Sequence, residues 1–150
     1  MRVVIQRVSR ASVRVDDNVV GAIHHGLCIL VGVEDADTTD DADWLAAKVA
    51  KLRIFNDDEG KMNADLADVA GRLLIVSQFT LHAKTKKGTR PSFIRAAHPE
   101  HAELLYKHFI EACASVTGTS VETGQFGANM TVDLVNDGPV TLWLDTKHKE

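Results

Sequence analysis

Cysteine is scarce in these 150 residues: only Cys28 and Cys113 occur, far apart and each inside an apolar segment. A disulfide-stapled scaffold is thereby excluded, and buried free thiols in a reducing compartment are expected. Long hydrophobic runs are missing too. The longest, Leu27 to Val33, is far too short to cross a bilayer. The opening Met1-Arg2-Val3-Val4-Ile5-Gln6-Arg7-Val8 mixes charge into its apolar residues too early for a secretion signal. A cytoplasmic protein with no membrane partner is the expectation. Basic excess is also lacking: the net charge of −4 argues against a general nucleic-acid binder. No Walker loop, dinucleotide-binding glycine fingerprint or Gly-x-Ser-x-Gly elbow is present, so no cofactor is expected. Metal ligation looks equally poor. His24 and His25 are adjacent and face opposite ways on a strand, and His101 and His108 lie two helical turns apart. The acids Asp35, Asp37, Asp40, Asp41 and Asp43 lack the glycine and closing glutamate of a calcium loop, and read as a solvated helix entry.

One absence is local. From Val69 through Pro99 there is no Asp or Glu, while the same stretch carries Arg72, Lys84, Lys86, Lys87, Arg90 and Arg95. An acidic chain that clears acids from one segment builds a local positive field there, and phosphate backbones are the usual ligand of such a field. A lysine-rich solvated loop is the plainer alternative.

What is present reads as one domain over residues 1–150, of mixed α/β or α+β class. Val3, Ile5, Val13 and Val15 alternate with polar residues, as in half-buried strands. Asp16-Asp17-Asn18 marks a turn, with Val19 to Ile23 as the returning arm. The runs Leu27–Val33 and Leu73–Val76 read as strands buried on both faces. Leu45, Val49 and Leu52 stripe a helix from about Thr39 to Arg53, with acids loading its first turn. A second helix starts near Pro99 and stops at Gly118, with Leu105, Phe109, Ala112 and Val116 as its apolar stripe. Three short strands are expected after it: Ser120–Thr123, Met130–Val135 and Val140–Asp145. The expected architecture is a curved, partly barrel-like mixed sheet with two main helices on one side.

Three segments carry candidate chemistry. Ser77-Gln78-Phe79-Thr80-Leu81 ends a buried strand, where α/β proteins place ligands, and offers two hydroxyls, a carboxamide and an aromatic face. Plain turn chemistry accounts for it as well. A Thr80–His82 dyad would need both on one strand face, and no other base stands at fixed spacing. Asn136-Asp137-Gly138-Pro139-Val140-Thr141 places Asp-Gly between two strands, a hairpin signal, with Pro139 opening the next strand. It reads as a blunted hairpin tip or as a rigid Gly-Pro that aims carbonyls outward. Gly124 to Met130 interrupts two strands, and Phe126 with Met130 could hold a base or belong to the core.

Together, Ser77-Gln78-Phe79-Thr80-Leu81 and Asn136-Asp137-Gly138-Pro139-Val140-Thr141 resemble the two signature motifs of the D-aminoacyl-tRNA deacylase family. The opening segment and the Lys84-to-Pro91 loop are similar to that family too, so the likeness spans the chain. It implies a homodimer acting on aminoacyl-tRNA, with two active sites at the subunit interface. Ser77, Gln78, Phe79 and Thr80 would surround the aminoacyl ester, and Phe126 and Met130 would contact the terminal adenosine. A cis Gly138-Pro139 bond would reach into the partner's pocket, its carbonyls facing the substrate ammonium, with Arg7 holding the loop. Lys84, Lys86, Lys87 and Arg90 would meet tRNA phosphates. Such a filter rejects L-aminoacyl esters by steric clash and lets glycine through. The nucleophile is either Thr80 or a water activated by the ribose hydroxyl, the missing base favouring water. Two other classes stay open: a small-molecule amino-acid esterase and a non-catalytic RNA-binding module.

Overall fold

The computed structural model describes residues 1–150. The alternating residues at the start belong to one 14-residue strand, β1 (Arg2–Val15). Asp16 and Asp17, at φ 48° and 63°, turn the chain in the left-handed conformation that suits a two-residue hairpin. β2 (Asn18–Ile23) then returns antiparallel to the far half of β1, and β3 (Gly26–Gly32) pairs antiparallel with the near half. Helix α1 (Thr39–Lys51) follows, the Asp41 carboxylate accepting the Thr38 backbone N–H at 2.9 Å as a capping box. A small hairpin, β4 (Phe55–Asn56) with β5 (Met62–Ala64), leads to β6 (Arg72–Ser77), which lies parallel to β3. One 3-10 turn (Phe79–His82), the long helix α2 (Pro99–Thr117), β7 (Val121–Thr123) and β8 (Thr131–Asp145) complete the chain.

The sheet order is β2-β1-β3-β6-β7, with β8 along the other side of β1. The sheet curls until its outer strands meet. A Cβ added at Gly21 on β2 would lie 2.4 Å from the Thr123 carbonyl oxygen on β7, so only glycine permits this near-closure. The result is barrel-like, as expected. Two cores follow from the pleat. Ile5, Ile29 and Ile75 face Leu45, Val49 and Phe109 of the helices. On the opposite face Val8, Val13, Ile23, Cys28, Leu74 and Val76 fill the inside of the curl. β3 and β6 bury both faces, which is why they read as unbroken apolar runs. Burial pushes the Cys28 thiol up to about 11 and the Cys113 thiol up to about 12, so both stay protonated.

Four expectations need correction. The chain after Met130 is not two strands joined by a hairpin. β8 is one 15-residue strand, and residues 137–140 bulge out opposite the single residue Arg7, because Gln6 pairs with Thr141 and Val8 with Asn136. Both flanks of the Asp-Gly signal pair with β1 instead of with each other. The stripe of α2 is rotated: Tyr106 and Cys113 are buried with Leu105 and Phe109, whereas Val116 is half exposed. Asp37 is not solvated. It is buried and takes the Met1 ammonium in an ion pair, with Lys147 3.7 Å away. Finally, the strand ends at Ser77, so Thr80 and His82 share a 3-10 turn rather than a strand face.

Candidate active site

β6 delivers Ser77 to the end of the sheet, and the Gln78 N–H still bonds the Val31 carbonyl of β3 at 2.7 Å. The chain then tightens into the 3-10 turn. Its first backbone N–H groups, those of Phe79 and Thr80, have no intrahelical acceptor by construction. The Gln78 carboxamide donates to the Thr80 hydroxyl oxygen at 2.5 Å and fixes its direction.

Beside this turn lies a cavity of about 530 Å³, lined mainly by apolar side chains. Ser77, Gln78 and Phe79 form one wall. Phe126 and Met130, about fifty residues later in the chain, form another. Tyr106 supports Phe126, ring centroids 5.6 Å apart, while its own hydroxyl donates to the Ile75 carbonyl at 2.9 Å. α2 contributes Pro99 and Ala102, small groups that keep the floor open. The arrangement suits a flat, mostly apolar group carrying one polar end, held where unpaired N–H donors can meet a developing negative charge.

His82 does not join Thr80 as a base. It is fully buried, and its ring packs on the Gly32 backbone. Neither ring nitrogen reaches a hydrogen bond of normal geometry. Burial, with Arg2 nearby, holds its pKa below the usual histidine value, so it is a neutral core group. No His, Asp, Glu or Lys bonds the Thr80 hydroxyl, whose one partner is Gln78.

The 137–140 bulge is a separate, tightly braced structure. Gly138-Pro139 is a cis peptide bond. Arg7, only 6% exposed, donates from Nε to the Asp137 carbonyl at 3.2 Å and from an Nη to the Ile54 carbonyl at 2.7 Å. The same Nε lies 3.2 Å from the Asp137 carboxylate. Asn136 clasps the base of the bulge, donating to the Arg7 carbonyl at 3.0 Å and the Val140 carbonyl at 2.9 Å. Gly138 sits at φ 125°, and a Cβ there would fall 3.0 Å from an Arg7 nitrogen and 2.9 Å from Val140, so a side chain does not fit. Gly138 and Pro139 themselves are exposed, and neither they nor Arg7 line this chain's cavity.

Lys84, Lys86, Lys87 and Arg90 lie on an exposed loop beside the cavity mouth. Two backbone bonds between Lys84 and Ser92, 2.8 and 3.0 Å, pinch its neck. None of the four cations has a carboxylate within ion-pair distance, whereas Arg95 reaches Glu34 at 3.5 Å. Sequence reasoning missed Tyr106 and the α2 floor, which are defined by tertiary contacts and by no local pattern, and it named Asn136 only as part of its motif.

A curled sheet with two helices on one face, an apolar cleft at a strand end and a cationic loop at its mouth define a class: a small α/β domain with a ligand site beside a phosphate-attracting surface. The particular family follows from comparison. The family profile for D-Tyr-tRNA(Tyr) deacylases matches residues 4–145. D-aminoacyl-tRNA deacylases of Bacteroides fragilis and Opitutus terrae are 53% and 56% identical, covering all of both chains. Among solved structures, the "c-Myc DNA Unwinding Element Binding Protein" superposes at TM-score 0.90 with 38% identity, over 97% of this chain and 98% of that one. A "probable eukaryotic D-amino acid tRNA deacylase" superposes at 0.82 with 19% identity, over 95% and 97%, which is a likeness of fold. The chain belongs to the D-Tyr-tRNA(Tyr) deacylase family.

Proposed function

We propose that the protein hydrolyses the ester of D-aminoacyl-tRNA to free D-amino acid and tRNA, and that it rejects L-aminoacyl-tRNA. The observation that carries this reading is the convergence of Ser77, Gln78 and Phe79 with Phe126 and Met130 around one cavity, beside four unpaired cations. The terminal adenosine fits between the aromatic and thioether walls, and the ester lies over the 3-10 turn. Water attacks the carbonyl carbon, the N–H groups of Phe79 and Thr80 take the oxyanion, and the ribose oxygen leaves with the proton. Thr80 is a poor nucleophile here because its hydroxyl accepts from Gln78 and no base reaches it. The ribose hydroxyl next to the ester is the group that orients and activates the water. Location with its substrate in the cytoplasm accords with this reading, and no helix is long and apolar enough to cross a membrane.

Chirality needs a group that reads the substrate ammonium, and the braced, exposed Gly138-Pro139 bulge is the backbone best suited to that role. A second copy of the chain is the natural way to bring it to the cavity. Trp143, Val4, Leu30 and Val76 form one cross-strand row on the inside of the curl. Val76 at one end lines the cavity, while Trp143 at the other is 51% exposed. An uncovered apolar face thus runs directly into the site, and a symmetric partner laid on it would complete both. Carbonyls fixed on the ammonium leave one direction for the side chain. A D-residue points it to open space, an L-residue drives it into backbone, and glycine passes because it has nothing to clash.

The test is hydrolysis of matched D- and L-aminoacyl-tRNAs by the purified protein. Release of the D-amino acid with little loss of the L-ester is expected, and equal rates would end the proposal. Mixing Gly138→Ala with Gln78→Ala chains tests the shared site. Each is expected to be inactive alone, and a mixed dimer regains one intact site. Mixed dimers that form without recovering activity place the bulge in its own subunit's site.

A further inference from the structure

Two aromatic side chains meet at the cavity mouth, Phe79, whose backbone N–H and ring already serve the site, and Phe93, which has no part in the chemistry above. Phe79 lines the cavity yet is 57% exposed, and Phe93 meets it edge-on, centroids 5.2 Å apart at 74°. Ile94 beside them is 76% exposed. Phe93 directly follows Ser92, which closes the neck of the cationic loop on Lys84. The exposed aromatic pair and the unpaired cations are therefore one continuous surface. Aromatic faces interleaved with cations that have no carboxylate partner are the physical signature of a track for unpaired nucleic acid, where bases stack and phosphates are drawn along. The lysines argue against a protein-covering patch, since lysine is depleted from interface centres.

We propose that the Phe79–Phe93 pair is a stacking platform for the base of the nucleotide that precedes the terminal adenosine. The inference rests on the deacylase reading and adds a subsite to it. A cavity of about 530 Å³ holds one nucleoside and its aminoacyl group, so the preceding nucleotide lies outside it, and Phe79, which lines the cavity and is exposed, is a rim group that its base can meet. Phe93 supplies the outer edge of the platform, and its phosphate then lies toward Lys84.

The experiment compares three substrates carrying the same D-amino acid: an adenosine ester, the ester on a dinucleotide, and that dinucleotide with an abasic first position. The two dinucleotides share their phosphate, so charge cancels and only the base differs. Wild-type protein is expected to prefer the intact dinucleotide by roughly 5- to 160-fold in kcat/KM, the range given by one stacked base. Phe93→Ala is expected to erase that preference and leave the adenosine ester within twofold, and Phe93→Tyr to restore it. Equal loss on all three substrates would make Phe93 a mere support for Phe79 and overturn the proposal. So would an intact preference in Phe93→Ala, or a change of its oligomeric state in sedimentation, which would mark the pair as a subunit contact. If wild type cleaves none of the three, the deacylase reading fails. Titration of the uncharged dinucleotide against its abasic form, with the same variants, then decides the platform on its own.

Discussion

The two exposed loops of this protein are built on opposite plans. The 137–140 bulge is short and tied down by two dedicated side chains, a buried arginine and a half-buried carboxamide that between them reach four backbone carbonyls. The Lys84–Ser92 loop is longer, cationic, and fastened only at its neck by two backbone bonds. On the proposed function, the contrast would separate two tasks. Discrimination between mirror images requires atoms fixed to a fraction of an ångström, because a yielding wall would move aside for the wrong enantiomer. Attraction of a phosphate backbone requires charge and little else, because Coulomb forces act over a Debye length of about 8–10 Å.

Arg7 is the sharpest place to break the contrast. Arg7→Ala removes the donor to both Asp137 and Ile54 and leaves the bulge clasped by Asn136 alone. Activity on D-aminoacyl-tRNA is expected to fall by about 100-fold, the cost of misplacing a group by about an ångström. The D-over-L rate ratio is expected to fall with it. Stability is expected to drop by roughly 1.5–3 kcal/mol, the value of hydrogen bonds from a charged donor. Rates on both enantiomers together with urea unfolding check this. A lower rate at unchanged D-over-L ratio would mean that the bulge does not read chirality.

Neutralising the other loop should act quite differently. Replacing Lys84, Lys86 and Lys87 by Gln is expected to raise KM for tRNA, leave kcat and the enantiomer ratio alone, and lower the salt slope by about 2, near 0.7 per lost phosphate contact. KM measured across a salt series reads it. An unchanged slope would move the RNA contact elsewhere and dissolve the division of labour.

The smallest effect concerns the ground beneath the turn that both loops serve. His82 is buried and neutral, and burial holds its pKa below the ordinary 6.5. The unfolded chain takes up a proton as pH falls through about 6.5, and the folded chain does not. Stability is therefore full above that pH and is lost as pH falls below it. The charged groups facing the ring are Arg2, Glu34 and Asp37. Melting temperature is expected to drop by about 2–4 °C from pH 7 toward 5.5 for each kcal/mol so lost, and His82→Leu to flatten the dependence. An unchanged profile in His82→Leu would show that the ring does not titrate with unfolding.

Much of this was legible in the residues, for reasons that can be named. β3 and β6 announced themselves because a strand buried on both faces must be apolar throughout, and Ser77–Thr80 stood out because polarity begins abruptly where burial stops. The helix boundaries followed from the first-turn acids Asp40 and Asp41, and from Pro99 and Gly118, whose end effects are local. The hairpin read at Asp137-Gly138 failed for the converse reason. A turn-forming pair states that the chain leaves a ladder, and says nothing of whether the next segment pairs with the last or, as here, rejoins the same partner. The rotated face of α2 and the role of Tyr106 were hidden similarly. Which side of a helix is buried depends on where Ile75 and Phe126 lie, and both are distant in sequence. Asp37 looked solvated because its partner, the Met1 ammonium, stands 36 residues away.

The tryptophan at the open end of the curl has a further meaning. Of the chain's two indoles, Trp44 sits against Lys48 and Lys149, while Trp143 stands half bare beside Arg2 on the face that runs into the cavity. Indole emission responds to the polarity around the ring. The protein thus carries its own optical gauge of whether that face is wet or covered, at the end of the strand row opposite the cavity-lining Val76, so that any association over that face would be read by the light of a residue that the chain already contains.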